Sequence, residues 1–307
     1  MRNLFRKEPP YVTVPGRARP APGARATEND GLWVRCENDR CRELLYGREF
    51  ENNLKVCHKC QHHARLTARE RLQQLIDEDS FVEHDGSLSP ADPLEFDAAG
   101  ESYAARVAAA MAKTGEREAA VSGSATIDGI SVEMVVLDFS FMGASMGSVV
   151  GEKITRAADR AADRGIALLT VSASGGARMH EGIFSLMQMA KTVTALAHLG
   201  SSGSPHISIL VDPTLGGVTA SYAGVGDVII AEQGALVGFA GPRVIEQITK
   251  QKLPPDAQRA AFLLEHGMVD MVLQRRELRP TLIRLLKLYT GATRRAEAKV
   301  EVEVGRA

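Results

Sequence analysis

An α/β core behind a small cysteine-rich head is the fold class this sequence predicts, on three observations. Strand-like and helix-like segments alternate from Ala119 to Leu288, with short crossovers, the pattern of a largely parallel sheet covered by helices. Three glycine-rich loops each follow a strand and open a helix. All four cysteines, Cys36, Cys41, Cys57 and Cys60, fall within 25 residues. No period of about 20–50 residues repeats, so a solenoid is excluded.

The elements follow from local chemistry in chain order. Residues 1–30 carry five prolines and little apolar periodicity, and are expected to be disordered. Residues 31–62 form the cysteine head, and 63–115 a helical connector. Within the connector, Thr67–Asp79 reads as a helix with Leu72, Leu75 and Ile76 on one face. Ser87–Gly100 is broken by prolines and glycine, and Tyr103–Lys113 is an alanine-rich helix stopped by Gly115. The core is placed at 116–289. Ala119–Ile127 and Ser131–Phe139 are strands joined at Asp128-Gly129, a strong hairpin signal. Val149–Arg164 is a helix ended by Gly165, and Ile166–Val171 a short buried strand. His180–His198 is a helix apolar nearly all round (Ile183, Leu186, Met187, Ala190, Val193), which predicts burial. Ile207–Val211 is a strand, Val218–Tyr222 a short helix, and Val228–Ala231 and Ala235–Val237 are strands. Val244–Lys250, Gln258–His266 and Glu277–Leu288 close the core as helices, leaving 290–307 as a frayed, charged tail.

Composition sets outer limits. The chain has 307 residues, 44% hydrophobic and 24% charged, which excludes wholesale disorder. No apolar run approaches the ~20 residues of a membrane span, and the start lacks a secretory apolar stretch, so a cytoplasmic protein is expected. Net charge is −1 but unevenly spread: residues 1–71 hold 15 Lys+Arg and 9 Asp+Glu, and the remainder holds 22 and 29. A basic head on an acidic body allows an anionic partner, nucleic acid included.

The cysteine pattern is C-x4-C-x15-C-x2-C. Two short-spaced pairs brought together present four thiolates to one soft cation, the pattern of a structural four-cysteine zinc ribbon. A closed four-thiolate shell has no open position for substrate, so this zinc is structural. His58, His62 and His63 lie nearby and are expected outside the shell.

The chemistry is expected at the strand-to-helix loops Met142–Gly151, Ser172–Met179 and Asp212–Thr219. Paired glycines let backbone N–H groups approach a ligand closely, which can build an oxyanion hole without side chains. No P-loop and no G-x-G-x-x-G is present. Gly143-Ala144-Ser145-Met146-Gly147 matches the nucleophile-elbow pattern, but only one hairpin precedes it, too little sheet for a serine hydrolase. No obvious side-chain base stands in these loops. That suits a reaction whose substrate brings its own base while the protein stabilises an enolate.

These residues together resemble a known family. LLYGREFENNLKVCHKCQHHARLTARERL, SPADPLEF, FMGASMGSVVGEKI, SASGGARMHEG with SLMQMAKT, DPTLGGVTASYA and GFAGPRVIEQ, in this order, resemble the β subunit of bacterial acetyl-CoA carboxylase carboxyltransferase. The resemblance runs from about residue 31 to 288. It implies a crotonase-like spiral of ββα units. It also implies carboxyl transfer from carboxybiotin, on a biotin carboxyl carrier protein, to acetyl-CoA, giving malonyl-CoA for fatty-acid synthesis. It implies an α subunit in an α2β2 assembly, biotin carboxylase in the larger complex, and decarboxylated biotin as the base. By the family motif, the N–H groups of Gly216 and Gly217 hold the thioester enolate oxygen. Gly175 and Gly176 shape the acyl-CoA side, and Arg178 is a candidate either for a CoA phosphate or for an ion pair within the fold. Two departures stand out: the first cysteine pair is two residues wider than usual, and Ala144 replaces a usual glycine. The competing readings are a nucleic-acid-binding zinc-ribbon protein and a carboxyltransferase for propionyl-CoA.

Overall fold

The computed structural model describes residues 32–98, 100–254 and 256–304. The segment expected to be disordered, 1–30, lies outside the described residues.

The head is a two-stranded antiparallel ribbon, β1 (Trp33–Arg35) and β2 (Leu44–Tyr46), followed by a single-turn helix α1 (Gly47–Asn52). Helix α2 (Ala68–Leu75) begins at a complete capping box. Thr67 accepts from the Glu70 N–H, and Glu70 accepts from the Thr67 N–H. Strand β3 (Val82–His84) and the short pair β4 (Asp97–Ala98) and β5 (Glu101–Ser102) lead to α3 (Tyr103–Thr114), capped by Ser102.

The hairpin β6 (Ala120–Ile127) and β7 (Ile130–Leu137) forms as expected. Asp128 and Gly129 both take positive φ, 54° and 74°, as a type I′ turn requires. The Asp77 carboxylate locks that turn by accepting from the Asp128 and Gly129 N–H groups and the Thr126 hydroxyl. Then come α4 (Ser148–Arg164), β8 (Ala167–Ser174), α5 (Ile183–Ser201), β9 (His206–Leu215), β10 (Val228–Glu232) and β11 (Val237–Gly238). Helices α6 (Pro242–Thr249) and α7 (Ala260–Glu265), strand β12 (Met271–Leu273) and α8 (Arg275–Val304) finish the chain. Helix α8 continues well past Leu288, the end that the sequence pattern predicts.

The main sheet runs β12-β10-β9-β8-β7-β6-β3, with β11 pairing on β9. It is parallel from β7 to β12 and antiparallel across β3, β6 and β7. One apolar cluster packs α3, α4 and α5 on one face, and a second packs α2 and α8 on the other. Burying both faces explains the near-continuous apolar runs of β8 and β9.

Two expectations fail. Val218–Tyr222 is not a helix; residues 216–221 form turns that lead into one 3-10 turn at Tyr222–Gly224. Helix α5 exists but is not buried as expected. Ile183, Leu186, Met187, Ala190 and Val193 all face outward, while Ser185, Gln188, Thr192, Ala195, Leu196 and Leu199 face inward. Small and polar residues turn inward because α5 lies close on α4, where Gln188 occupies the space that a side chain at Gly151 would fill. A helix apolar on every side does not announce its inner face.

Candidate active site and metal centre

The four cysteine sulfurs come together within 4.8 Å of one another. Cys36 Sγ lies 3.6 Å from Cys60 Sγ, and Cys41 Sγ lies 4.0 Å from Cys57 Sγ. A tetrahedron with metal–sulfur bonds of about 2.3 Å has edges of about 3.8 Å, so this set fits one four-coordinate soft cation. The widened first pair is absorbed by a turn: the Cys41 and Arg42 N–H groups both donate to Asn38 O, at 2.9 and 3.0 Å. Burial pushes the Cys36 thiol up to about 12, whereas Cys60, despite its burial, is brought down to about 7 by hydrogen bonds from the His62 backbone and the neighbouring thiols, so it is Cys36 whose thiolate calls for a bound cation. The histidines stay outside the set; His63 instead points its Nδ1 to Glu232, 3.4 Å away.

That contact belongs to a buried ion cluster joining head and body. Glu232 at the end of β10 meets Arg71 Nη1 at 2.5 Å, Arg275 Nη2 at 2.9 Å and Arg275 Nε at 3.1 Å. Arg275 also donates to Leu54 O in the head, at 2.6 Å. These two guanidinium groups, with His63, hold the Glu232 carboxyl well below the usual carboxylate range despite its burial.

Beside this junction the three glycine loops converge. Gly176 (φ 116°) and Gly216 (φ 65°) touch backbone to backbone: a Cβ on Gly216 would lie 3.1 Å from Gly176 Cα. Only glycine permits that approach. The expected pair of oxyanion donors is reduced by what the structure does with Gly216. Its N–H donates to Gly238 O at 3.0 Å, through the β11 pairing, so it is engaged. The N–H groups of Gly217, Val218 and Thr219 have no acceptor among the described residues, and Gly217 is partly exposed. Gly175 and Gly176 offer no open donor: their N–H groups go to Gly143 O at 2.9 Å and Ser174 Oγ at 3.1 Å.

Arg178 does not reach for a CoA phosphate. It is fully buried, and all five of its N–H donors are engaged inside the protein. Nε donates to Ser145 Oγ at 3.1 Å, Nη1 to Tyr103 Oη at 3.1 Å and Glu118 at 2.7 Å, and Nη2 to Glu118 at 2.5 Å and Ser145 O at 2.7 Å. Ser145 Oγ in turn donates to Met142 O at 3.1 Å. An Oγ held between a cation and a carbonyl is not an activated nucleophile, which removes the serine-hydrolase reading.

A half-exposed cation at the site is Arg65, which the sequence pattern does not single out and which lies 3.7 Å from the Asp212 carboxylate. It lies 4.2 Å over the Phe139 ring and donates to Asp212 O at 3.4 Å, at the base of the third glycine loop. Between head and body it borders a cleft of ≈ 790 Å³ lined also by Arg40, His62, Asp212, Leu215 and Arg259. That volume suits a coenzyme-sized ligand.

Solved structures of similar architecture are carboxyltransferases and their relatives. The transcarboxylase 12S core with methylmalonyl-coenzyme A bound matches with a TM-score of 0.61 and 29% identity, over 73% of this chain and 40% of that one. A Pseudomonas malonate decarboxylase heterotetramer shares the fold, with a TM-score of 0.59 and 22% identity over 72% and 82% of the two chains. Fold and site therefore define a crotonase-like carboxyltransferase carrying a four-cysteine head. The carboxyl transferase domain model matches residues 60–290. Acetyl-coenzyme A carboxylase carboxyl transferase subunit beta of Herpetosiphon aurantiacus is 50% identical over 305 residues, 99% of each chain. The protein of the same name from Chloroflexus aggregans is 55% identical over 260 residues, 85% of this chain and 84% of that one. The chain belongs to the carboxyl transferase family, among its acetyl-CoA carboxylase β subunits.

Proposed function

We propose that this chain is the β half of a carboxyltransferase that moves a carboxyl group from carboxybiotin, carried on a biotin carrier protein, to acetyl-CoA, giving malonyl-CoA. Near full-length similarity to proteins named for that subunit supports the reading. The observation that carries its chemistry is the open Gly217 N–H at the meeting point of the glycine loops. Removing a methyl proton from a thioester builds negative charge on the carbonyl oxygen. Gly217 donates to that oxygen; one such donor is worth roughly 3–4 kcal/mol in the transition state. Gly216 contributes shape, not a hydrogen bond. Carboxybiotin supplies the carboxyl group when bound. We assign the head metal as zinc, on the four-thiolate donor set.

The outward stripe of α5 supports a shared site. Ile183, Leu186 and Met187 are 61%, 49% and 56% exposed. Phe239 and Ile248 are also exposed, where β11 leads into α6. Both apolar faces start at the glycine loops, so a partner α subunit seated on them completes the cleft. No helix among the described residues is long and apolar enough to cross a membrane. Arg71, counted in the basic head, is buried on Glu232 and adds nothing to a nucleic-acid surface.

The reverse reaction tests the proposal: malonyl-CoA plus biocytin, with this chain alone and with its co-expressed α partner. Turnover only with both chains is expected. No turnover from an assembled, metal-loaded complex would sink it. Methylmalonyl-CoA in the same assay decides the propionyl-CoA alternative.

A further inference from the structure

Beneath the glycine loops lies a cluster of charges that the transfer chemistry does not use. Tyr103 of α3, Glu118 ahead of β6, Arg178 and Glu181 are each no more than 1% exposed. Glu181 accepts from the Tyr103 hydroxyl at 2.6 Å and from the Ser148 N–H at 2.6 Å, at the first turn of α4. With the five donors of Arg178 engaged as described, every contact of the guanidinium is internal. Two carboxylates and a phenol around one guanidinium, all out of water, are expensive to bury, and an apolar filling is often the more stable solution.

What the cluster holds is specific. Arg178 grips Ser145 at both its carbonyl and its hydroxyl, so it fixes the first glycine loop. Its own backbone adds a second lacing: the Arg178 N–H donates to Met146 O at 2.9 Å, and the Met146 N–H donates to Gly176 O at 2.8 Å. Gly176 in turn lies against Gly216, and a Cβ on Gly217 would sit 3.6 Å from Ala177 Cβ. The contacts run in sequence from guanidinium to glycine loop: Arg178 to Ser145 and Met146, Met146 to Gly176, and Gly176 to Gly216.

We propose that Arg178 is a positioning residue for carboxyl transfer: with Glu118, Tyr103 and Glu181 it aims the Gly217 N–H by holding the first two glycine loops in register. This rests on the reading of Gly217 as the oxyanion donor. A positioning group acts on the transition state and leaves ground-state binding of the coenzyme largely alone.

The test uses the full chain co-expressed with the α partner, followed by malonyl-CoA plus biocytin turnover per folded, metal-loaded complex. Arg178→Lys keeps the charge and loses the fork. It should lower kcat by about 100-fold with KM for malonyl-CoA within about twofold. Tyr103→Phe, a milder change, should lower kcat by about tenfold with KM unchanged. Should Arg178→Lys fail to fold, Tyr103→Phe decides alone. Wild-type kcat per folded complex, with only a lower unfolding temperature, overturns the proposal, as does a loss confined to KM. Gly217→Val separates the two ideas. If it is inactive while Tyr103→Phe and Arg178→Lys keep full kcat, the positioning role falls and the oxyanion reading stands. If Gly217→Val is fully active, the oxyanion reading falls first.

Discussion

Replacing Glu232 by Gln keeps the side chain's shape and removes one charge from the centre of the head–body junction. The wild-type carboxylate is buried and shared by Arg71 and Arg275, and His63 stands 3.4 Å away. Burial already pulls Arg71 down from the usual guanidinium range, and Arg275 beside it adds repulsion. Without the carboxylate, two buried cations face each other with one amide oxygen between them. Breaking a buried pair by removing one partner costs about 3–5 kcal/mol. At about 2.1 cal/mol/K of unfolding entropy per residue, each kcal/mol shifts the Tm of this 307-residue chain by roughly 1.5 °C, so Glu232→Gln should melt about 5–8 °C lower. The assay is calorimetry, with limited proteolysis of the 60–67 segment to report whether the head has come loose. The companion variant Arg71→Met/Glu232→Met/Arg275→Met removes every charge together and should recover most of the loss. A Tm within about 2 °C of wild type in Glu232→Gln would refute the reasoning, because an uncompensated buried pair of cations cannot be silent.

Three further outcomes are expected. Burial lowers His206 from 6.5 to about 4, so the folded chain binds the proton more weakly than the unfolded one. Stability should therefore decline as pH falls from about 6.5 to about 4, by about 3 kcal/mol from this residue. Glu232, whose pKa is depressed, stabilises above the unfolded carboxylate pKa and keeps doing so until pH falls through its lowered value. His206→Asn should flatten the pH 6.5–4 limb of a Tm titration, and an unchanged slope would count against it. Leu186→Asp or Met187→Asp on α5 should leave Tm within about 2 °C but abolish co-purification with the α partner. Retained assembly would place the interface elsewhere. Gly217→Ala crowds only the flexible Met189 side chain, at 2.9 Å from Sδ, while its 3.6 Å approach to Ala177 Cβ is ordinary contact, so it should retain turnover within about tenfold. The branched Gly217→Val also presses on Ala177, and should lose about 100-fold or more; equal activities would show that the N–H direction is immaterial.

Much of this architecture is legible in the residues because local chemistry and global fold agree. Asp128-Gly129 names its own turn, Thr67 and Glu70 name a helix start, and Gly165 a helix stop, all short-range effects. The cysteine set is legible for the same reason, since spacing alone limits which turns can meet. The remainder depends on partners far along the chain. Arg178 sits in a glycine loop, and its surroundings in sequence leave a phosphate and an internal ion pair equally open. Its true partners, Tyr103 and Glu118, lie 75 and 60 residues away in ordinary surroundings. Gly216 looks like an oxyanion donor until a two-residue strand supplies Gly238 O. The inner face of α5 is hidden because its outer face is the more apolar one.

That outer face also bears on how the protein is made. If the α partner covers this face as proposed, a chain without it carries Ile183, Leu186 and Met187 bare in water, along with the exposed Phe239 and Ile248. Such surface draws like surface, so surplus copies would stick to one another before meeting the right companion. A cell producing this chain is better served by translating both subunits in step. With the partner seated there as proposed, one side of a single helix would couple completion of the cleft to the supply of the second chain.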